Sequence, residues 1–238
     1  MNFTSSTSYH PQAEDTSIEA DIYLFNRLRQ LSFKDRLEIF AAHDRGVKKL
    51  SLAGVKMRNR EAPIETIRLH FARAVLGDKF PEGFQPKGTD EKMWIQDSIA
   101  LAGELHQIFE SVNILYYVSG GVASSIHGEA RSTRDLDLVI SLEVGRVNIV
   151  VQTLETAGFY CLALSVENIK QGRERSLSIT HTVTIANADL IIMDNSAFAI
   201  SQMSRRILAL VEGVSPFWVA SREDMVLQKL MWGRGSQS

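Results

Sequence analysis

Two aspartates alternate with apolar residues in the segment Arg134–Ile140, which reads RDLDLVI. If this segment is a β-strand, Asp135 and Asp137 point to the same face, about 6 to 7 Å apart along the strand. Carboxylates this close raise each other's pKa unless a cation lies between them, and such oxygen ligands suit Mg²⁺ or Mn²⁺. Taken alone, the pair is equally consistent with a solvated strand end that has no function.

A two-glycine turn precedes this pair in the sequence. Ser119-Gly120-Gly121 follows a short apolar strand candidate, Leu115–Val118, and opens a short helix. Glycines at such a position let backbone N–H groups approach a phosphate, with the positive end of the helix behind them. The turn therefore favours phosphate binding beside the aspartates.

A third carboxylate follows at the start of another apolar run. Asp189 begins the run Leu190–Met193, and a strand that returns beside the first one brings Asp189 to the same edge. Three carboxylates, divalent cations and a triphosphate fit an in-line displacement at phosphorus. Arg131 and Arg134 frame the approach to the carboxylates and offset negative charge.

The stretch from Val118 to Leu138 resembles the nucleotidyltransferase superfamily, which has the DNA polymerase β-like fold. Its Gly-Gly turn, the pair His127-Gly128 and the segment RSTRDLD are similar to those of bacterial AbiEii-type toxin nucleotidyltransferases and their uncharacterised relatives. The resemblance covers residues 95–233. It implies the transfer of a nucleoside monophosphate from an NTP to a hydroxyl group, with release of pyrophosphate.

The resemblance also implies roles for single residues. Asp135, Asp137 and Asp189 would be the catalytic residues and the ligands of Mg²⁺ or Mn²⁺. Gly121 stands where many members carry a serine, so Ser119, Ser124 or Ser125 would take over that phosphate contact. The expected nucleotide-binding residues are Ser119, Gly120, Gly121, Ser124, Arg131, Arg134 and Lys229, the last on a late helix that Ser221 is predicted to cap.

Patterning along the chain predicts two structured parts. Residues 1–17 are polar and lack periodicity, which is typical of a disordered lead-in. Apolar residues at helical spacing, in separate stretches that include one around Leu37 and another from Val47, predict an all-helical module over residues 18–80. Prolines and glycines mark a linker at 81–92. Residues 93–238 alternate strand and helix patterns, which predicts an α+β or α/β domain with a mixed sheet and flanking helices. The relatives continue with a further helical segment, so the resemblance implies a domain truncated at its C-terminus.

The composition of the chain bears on nucleic-acid binding and on the cellular compartment. The net charge is −2, so non-specific electrostatic binding of nucleic acid is not expected. The single cysteine allows no internal disulfide, and neither a signal peptide nor an apolar run long enough to span a membrane is present, which together favour a cytoplasmic protein.

Several alternatives remain open at the level of sequence. The acceptor could be transfer RNA, a protein or a small molecule. The chain could also be an inactive relative that binds a nucleotide or a partner, or the toxin that an antitoxin protein neutralises. His127 fits a packed histidine as well as a role near the phosphates.

Overall fold

The computed structural model describes residue 11, residues 14–128 and residues 135–235, with side chains described as far as residue 231. Arg131 and Arg134 lie outside the described residues, as does most of the predicted lead-in, residues 1–17. The disorder expected for that lead-in therefore stays a prediction.

Helices form the first part of the chain and then flank the strands. A short 3-10 turn at Gly77–Lys79 follows the third helix, and another at Val144–Arg146 precedes the seventh. The α-helices are α1 (Ile18–Gln30), α2 (Phe33–Arg58), α3 (Ile64–Leu76), α4 (Glu91–Trp94), α5 (Ser98–Ser111), α6 (Gly120–His127), α7 (Val147–Thr156), α8 (Ala163–Lys170), α9 (Ala197–Ser204) and α10 (Arg222–Gly235).

Local sequence signals explain where the first helices begin and end. Ser32 and Asp35 form a reciprocal capping box at the start of α2, which satisfies backbone donors that a helix start leaves open. Pro63 precedes α3, and Gly77 ends that helix with φ 56°. Since this backbone conformation favours glycine, the chain can turn sharply there into the 3-10 turn that carries Lys79.

The described strands form one seven-stranded mixed sheet with the order β3-β4-β5-β2-β1-β7-β6. Strand β2 runs parallel to β5, and β1 runs parallel to β7, whereas the remaining neighbours are antiparallel. The strands are β1 (Tyr116–Val118), β2 (Leu136–Ile140), β3 (Phe159–Cys161), β4 (Ser176–His181), β5 (Asn187–Ile192), β6 (Ile207–Ala209) and β7 (Phe217–Val219).

Burial alternates along β2 and gives the sheet two different faces. Leu136, Leu138 and Ile140 are fully buried, while Asp137 and Val139 are only half-buried. Successive strand residues point to opposite faces, so the leucines pack in the main core and Asp137 faces the other side. The sheet therefore carries the Asp137 carboxylate on the face opposite to these buried residues, which we call its open face.

Two hydrophobic clusters connect the N-terminal helices to the sheet. Leu37 and Ala41 of α2 belong to the main core, which surrounds the sheet and α5. Further along α2, Leu52 and Val55 pack with Phe71 of α3 in a second cluster. The predicted mixed sheet with flanking helices, preceded by a helical region, is therefore confirmed, whereas the boundaries at 18–80, 81–92 and 93–238 stay predictions.

Among the described helices, none has both the length and the apolar character that crossing a bilayer requires.

Candidate functional site

Two of the predicted carboxylates lie side by side on neighbouring parallel strands. Asp137 of β2 and Asp189 of β5 are register partners. Both residues are partly buried, and Asp135 lies in a bend immediately before β2. Residues paired in register on adjacent strands point to the same face, so the two carboxylates share the open face of the sheet.

The two-glycine turn packs directly against Asp137. The backbone N–H of Gly121 donates a hydrogen bond to the Asp137 carboxylate, and the N–H of Ser119 donates to the Asp137 carbonyl at 2.8 Å. Gly120 has φ +59°, and a Cβ atom there would lie 2.7 Å from Cγ of Asp137. A residue without a side chain is therefore required for this close approach.

Burial raises the pKa of the Asp137 carboxyl above its ordinary value, and the negative charges of Asp189 and Asp135 act in the same direction. The ammonium of Lys79 and the Gly121 N–H oppose this effect. The environment of Asp137 thus accumulates negative charge that a cation would relieve.

A lysine from the helical region reaches this cluster. Nζ of Lys79 lies 2.6 Å from Oδ2 of Asp135 and 2.6 Å from Oδ2 of Asp189. Burial lowers the pKa of Lys79, but its hydrogen bonds to the two carboxylates outweigh that effect and raise it overall. Lys79 is therefore a protonated cation held between two of the three predicted metal ligands.

A pocket of about 810 Å³ opens beside Asp137, and its lining residues do not include Asp135 or Asp189. The sheet, the start of α6, α9 and α10 all contribute to its walls. The predicted site residues that line it are Ser119, Gly120, Gly121, Ser124, Asp137 and Lys229. This volume is within the range of small-molecule and cofactor sites, so a ligand of nucleotide size can enter.

Four pocket-lining side chains form a chain of hydrogen bonds at one wall. Ser119 Oγ donates to Gln228 Oε1 at 3.0 Å, and Gln228 Nε2 donates to Tyr117 Oη at 3.4 Å. Tyr117 Oη in turn donates to Gln202 Oε1 at 3.4 Å. The chain links α6, α10, β1 and α9, and so holds the walls of the pocket in a fixed relation.

Lys229 lies on α10, and burial lowers its pKa from the ordinary value. It lies on the wall of the pocket, and its role near the nucleotide stays a prediction. The helix is anchored by Ser221 Oγ, which accepts from Asp224 N at 3.2 Å and donates to Asp224 Oδ2 at 2.6 Å. The predicted cap of this last helix is confirmed by these bonds.

His127 has a structural partner. Its Nε2 donates to the carbonyl of Ala220 at 2.8 Å, which ties the end of α6 to the segment between β7 and α10. Burial lowers the pKa of this imidazole. Of the two interpretations of His127, the structure favours the packed histidine.

The structure therefore brings most of the predicted residues together and adds one. Asp135, Asp137, Asp189 and the Gly-Gly turn meet at the sheet, while the arginines at 131 and 134 fall outside the described residues. Sequence reasoning missed Lys79, which lies 56 residues from Asp135 and 110 from Asp189. The only local feature of the sequence at Lys79 is that it comes just after a glycine that ends a helix. This feature does not indicate which residues the lysine contacts.

The donor set can be compared with the needs of a divalent cation. Within residues 14–128 and 135–235, no group of three or more histidine, cysteine, aspartate or glutamate residues is arranged to hold a metal ion. The donors are nonetheless the oxygen ligands that Mg²⁺ and Mn²⁺ prefer. Asp135 and Asp189 also converge on one cationic point. Asp135 and Asp189 would thus hold such an ion as a pair, at the point where the ammonium lies, with water as its further ligands.

Comparison with known proteins gives fold-level similarity alone. The sequence matches no family model and no curated protein. The structure is similar to a lincomycin-bound lincosamide antibiotic adenylyltransferase, LnuA, at 15% identity and a TM-score of 0.34, over 52% of this chain and 80% of that one. It is also similar to an antigenic nucleotidyltransferase-like protein from Paracoccidioides brasiliensis, at 20% identity and a TM-score of 0.38, over 54% of this chain and 62% of that one. Similarities this low do not establish an activity, which has to be argued from the site.

Proposed function

We propose that the protein is a nucleotidyltransferase that moves a nucleoside monophosphate from an NTP to a hydroxyl acceptor. The observation that carries this proposal is the placement of Asp137 and Asp189 as register partners, with Asp137 against the Gly120-Gly121 turn at the mouth of a large pocket. Paired carboxylates beside a phosphate-compatible helix start are the arrangement that phosphoryl chemistry needs.

The α6 turn is the part of the pocket that suits a triphosphate. Gly120 lets the backbone pass close to the pocket, and the positive end of the eight-residue α6 lies behind the turn. Lys229 of α10 offers a cationic side chain among the residues that line the same pocket. We therefore place the phosphates between the turn and α10, with Ser119 and Ser124 as the hydroxyl contacts that stand in for a serine at position 121.

The reaction is an in-line transfer at the α-phosphorus. The acceptor oxygen attacks this atom, the bond to the β-phosphate oxygen breaks, and pyrophosphate leaves. We assign acceptance of the proton of the attacking hydroxyl to Asp189, with Asp135 and Asp137 completing the carboxylate cluster. A divalent cation, when bound by these residues, supplies positive charge that offsets the charge on the reacting oxygens.

The test is transfer of label from α-labelled NTPs in the presence of Mg²⁺, with RNA, protein extract and small hydroxyl compounds as separate acceptors. Wild type should label one acceptor class, and Asp137→Asn and Asp189→Asn should both lose the activity by at least about a hundredfold. Asp78→Asn is the matched control, because Asp78 is an exposed aspartate next to Lys79. Equal labelling by wild type and both site variants would contradict the proposal.

One observation favours a second candidate, a relative that binds a nucleotide or partner without turnover. Lys79 already forms ion pairs with Asp135 and Asp189, so a cation of the protein itself bridges these two carboxylates without a metal. Calorimetry separates the two functions. NTP binding that does not depend on Mg²⁺ and persists in Asp137→Ala favours the inactive relative. NTP binding that requires both Mg²⁺ and the Asp137 side chain favours the enzyme.

The biological role is the remaining part of the proposal. The resemblance to AbiEii-type proteins leads us to propose growth arrest when the chain is expressed in a bacterium, relieved by an antitoxin protein. The control is the Asp189→Asn variant at the same expression level. If that variant arrests growth equally, the toxicity does not come from nucleotidyl transfer.

A further inference from the structure

We infer that Lys79 and a divalent cation are mutually exclusive occupants of the point between Asp135 and Asp189. This inference deepens the proposed function and rests on it, because it concerns loading of the same site. It makes Lys79, which belongs to the helical region, the residue that sets how much metal is needed to load the site.

The first step is the geometry of the two ion pairs. One Nζ atom lies 2.6 Å from an oxygen of each carboxylate. All three side chains are partly buried, with exposed fractions of 38% for Lys79, 24% for Asp135 and 20% for Asp189. Because water screens these charges only in part, the Lys79 ammonium competes with a divalent cation for the carboxylate oxygens.

The second step is that the two cations cannot share the point. Mg²⁺ binds carboxylate oxygens at about 2.0 to 2.1 Å, closer than the ammonium sits. An ammonium left in place would then lie next to a divalent ion, and repulsion between the two cations would be severe at that separation. Metal binding therefore requires the Lys79 side chain to leave both carboxylates.

The third step is that the side chain can leave while the backbone stays. Phe84, a few residues beyond Lys79, is buried, and Tyr160 Oη donates to the carbonyl of Glu82 at 2.6 Å. The rings of Phe80 and Phe84 pack edge to face, with centroids 5.7 Å apart. These contacts fix the segment after the lysine, whereas the lysine itself has a flexible four-carbon stem and an exposed route to solvent.

Lys79 is therefore a cation that the protein itself supplies to the carboxylates, and it has two effects. Without metal, Lys79 keeps like-charged carboxylates together and so stabilises the fold. With metal, the same ion pairs must be broken, which weakens apparent metal affinity. Removing the ammonium should therefore strengthen metal binding and weaken the metal-free fold.

The experiment compares the full-length wild type with Lys79→Met, Lys79→Arg and the control Lys87→Met. Lys87 is exposed in the same region, and its substitution changes the net charge by the same amount. Mn²⁺ is titrated without nucleotide, and binding is followed by calorimetry and electron paramagnetic resonance. Melting temperature is measured with and without Mn²⁺, so the readout does not depend on activity.

Lys79→Met should bind Mn²⁺ about tenfold more tightly than wild type, the scale of one hydrogen bond between charged groups. Without metal, the melting temperature of the same variant should be lower than that of wild type. Mn²⁺ should raise the melting temperature of the variant by more than it raises that of wild type. Lys79→Arg and Lys87→Met should resemble wild type. Equal Mn²⁺ affinity in wild type and Lys79→Met overturns the inference and leaves the proposed function in place. Absence of Mn²⁺ binding in both proteins overturns the inference and the metal-dependent function together.

Discussion

Gly120 and the carboxylate of Asp137 are so close that no side chain fits between them. A Cβ atom at position 120 would lie 2.7 Å from Cγ and 3.0 Å from Cβ of Asp137. The positive φ of Gly120 adds backbone strain for any other residue. Gly120→Ala should therefore displace Asp137, lower the free energy of unfolding by about 1 to 3 kcal/mol and abolish nucleotidyl transfer.

Two other glycines provide controls for this substitution. A Cβ at Gly145 or Gly46 would meet no atom within 4 Å, and neither residue has a positive φ. Gly145→Ala should be neutral, and Gly46→Ala, inside α2, should stabilise the fold by about 0.5 to 1 kcal/mol. Urea denaturation measures all three variants, and a neutral Gly120→Ala would contradict the contact with Asp137.

Local periodicity predicted the elements that carry the Asp137 side of the site. The alternation in the segment Arg134–Ile140 predicted the strand that the structure shows as β2 (Leu136–Ile140), because the face of each strand residue follows from its place in the alternation. The start of α10 was equally readable, since Ser221 and Asp224 form their cap within one turn. Signals contained in a few consecutive residues were therefore reliable.

Relations between distant segments were harder to predict. Lys79 and its two carboxylate partners belong to three separate segments, and no pattern along the chain links them. The sequence also suggested separate helices around Leu37 and Val47, whereas α2 runs unbroken from Phe33 to Arg58. Packing of α2 against both hydrophobic clusters outweighs the weak helix propensity of its glycines.

The stability of the fold should decrease at acidic pH through His127. Burial lowers the pKa of this imidazole in the folded state, whereas an unfolded histidine titrates near about 6.5. Below that pH the unfolded chain takes up a proton that folded His127 resists. The contribution of His127 is therefore complete above the unfolded pKa and is lost as the pH falls through the folded pKa.

Melting temperatures from pH 7.5 down to pH 5 measure this effect. His127→Gln keeps a hydrogen-bond donor for the Ala220 carbonyl but has no titrating group, so its melting temperature should depend less on pH. The exposed histidine His43 provides the control, and His43→Gln should keep the wild-type profile. Identical profiles for wild type and His127→Gln would rule out this origin of the pH dependence.

Lys229 should contribute to nucleotide affinity by its charge. It lines the same pocket as the α6 turn, where we place the phosphates. Lys229→Met should raise the Kd for an NTP about tenfold, the scale of a charged hydrogen bond, and Lys229→Arg should keep most of the affinity. The difference between wild type and Lys229→Met should shrink as salt is added.

Lys49 is the matched control for this experiment, because it is an exposed lysine on α2, and Lys49→Met should leave NTP binding unchanged. Calorimetry at low and moderate salt measures each Kd. If Lys229→Met binds as wild type does, the phosphates do not lie against α10, and that part of the placement is wrong.

The hydroxyl of Tyr117 should stabilise the pocket wall. It lies between Gln228 Nε2, from which it accepts, and Gln202 Oε1, to which it donates, and Tyr117 is buried in β1. Tyr117→Phe would leave Oε1 of the buried Gln202 and Nε2 of the half-buried Gln228 without this partner, and an unpaired buried group costs about 1 to 3 kcal/mol. Tyr23→Phe removes a hydroxyl from a residue that is 67% exposed and should change the free energy of unfolding by less than about 0.5 kcal/mol. Urea denaturation with an unchanged m-value gives both numbers. If the two variants were equally stable, the chain from Ser119 to Gln202 would not hold the pocket walls together.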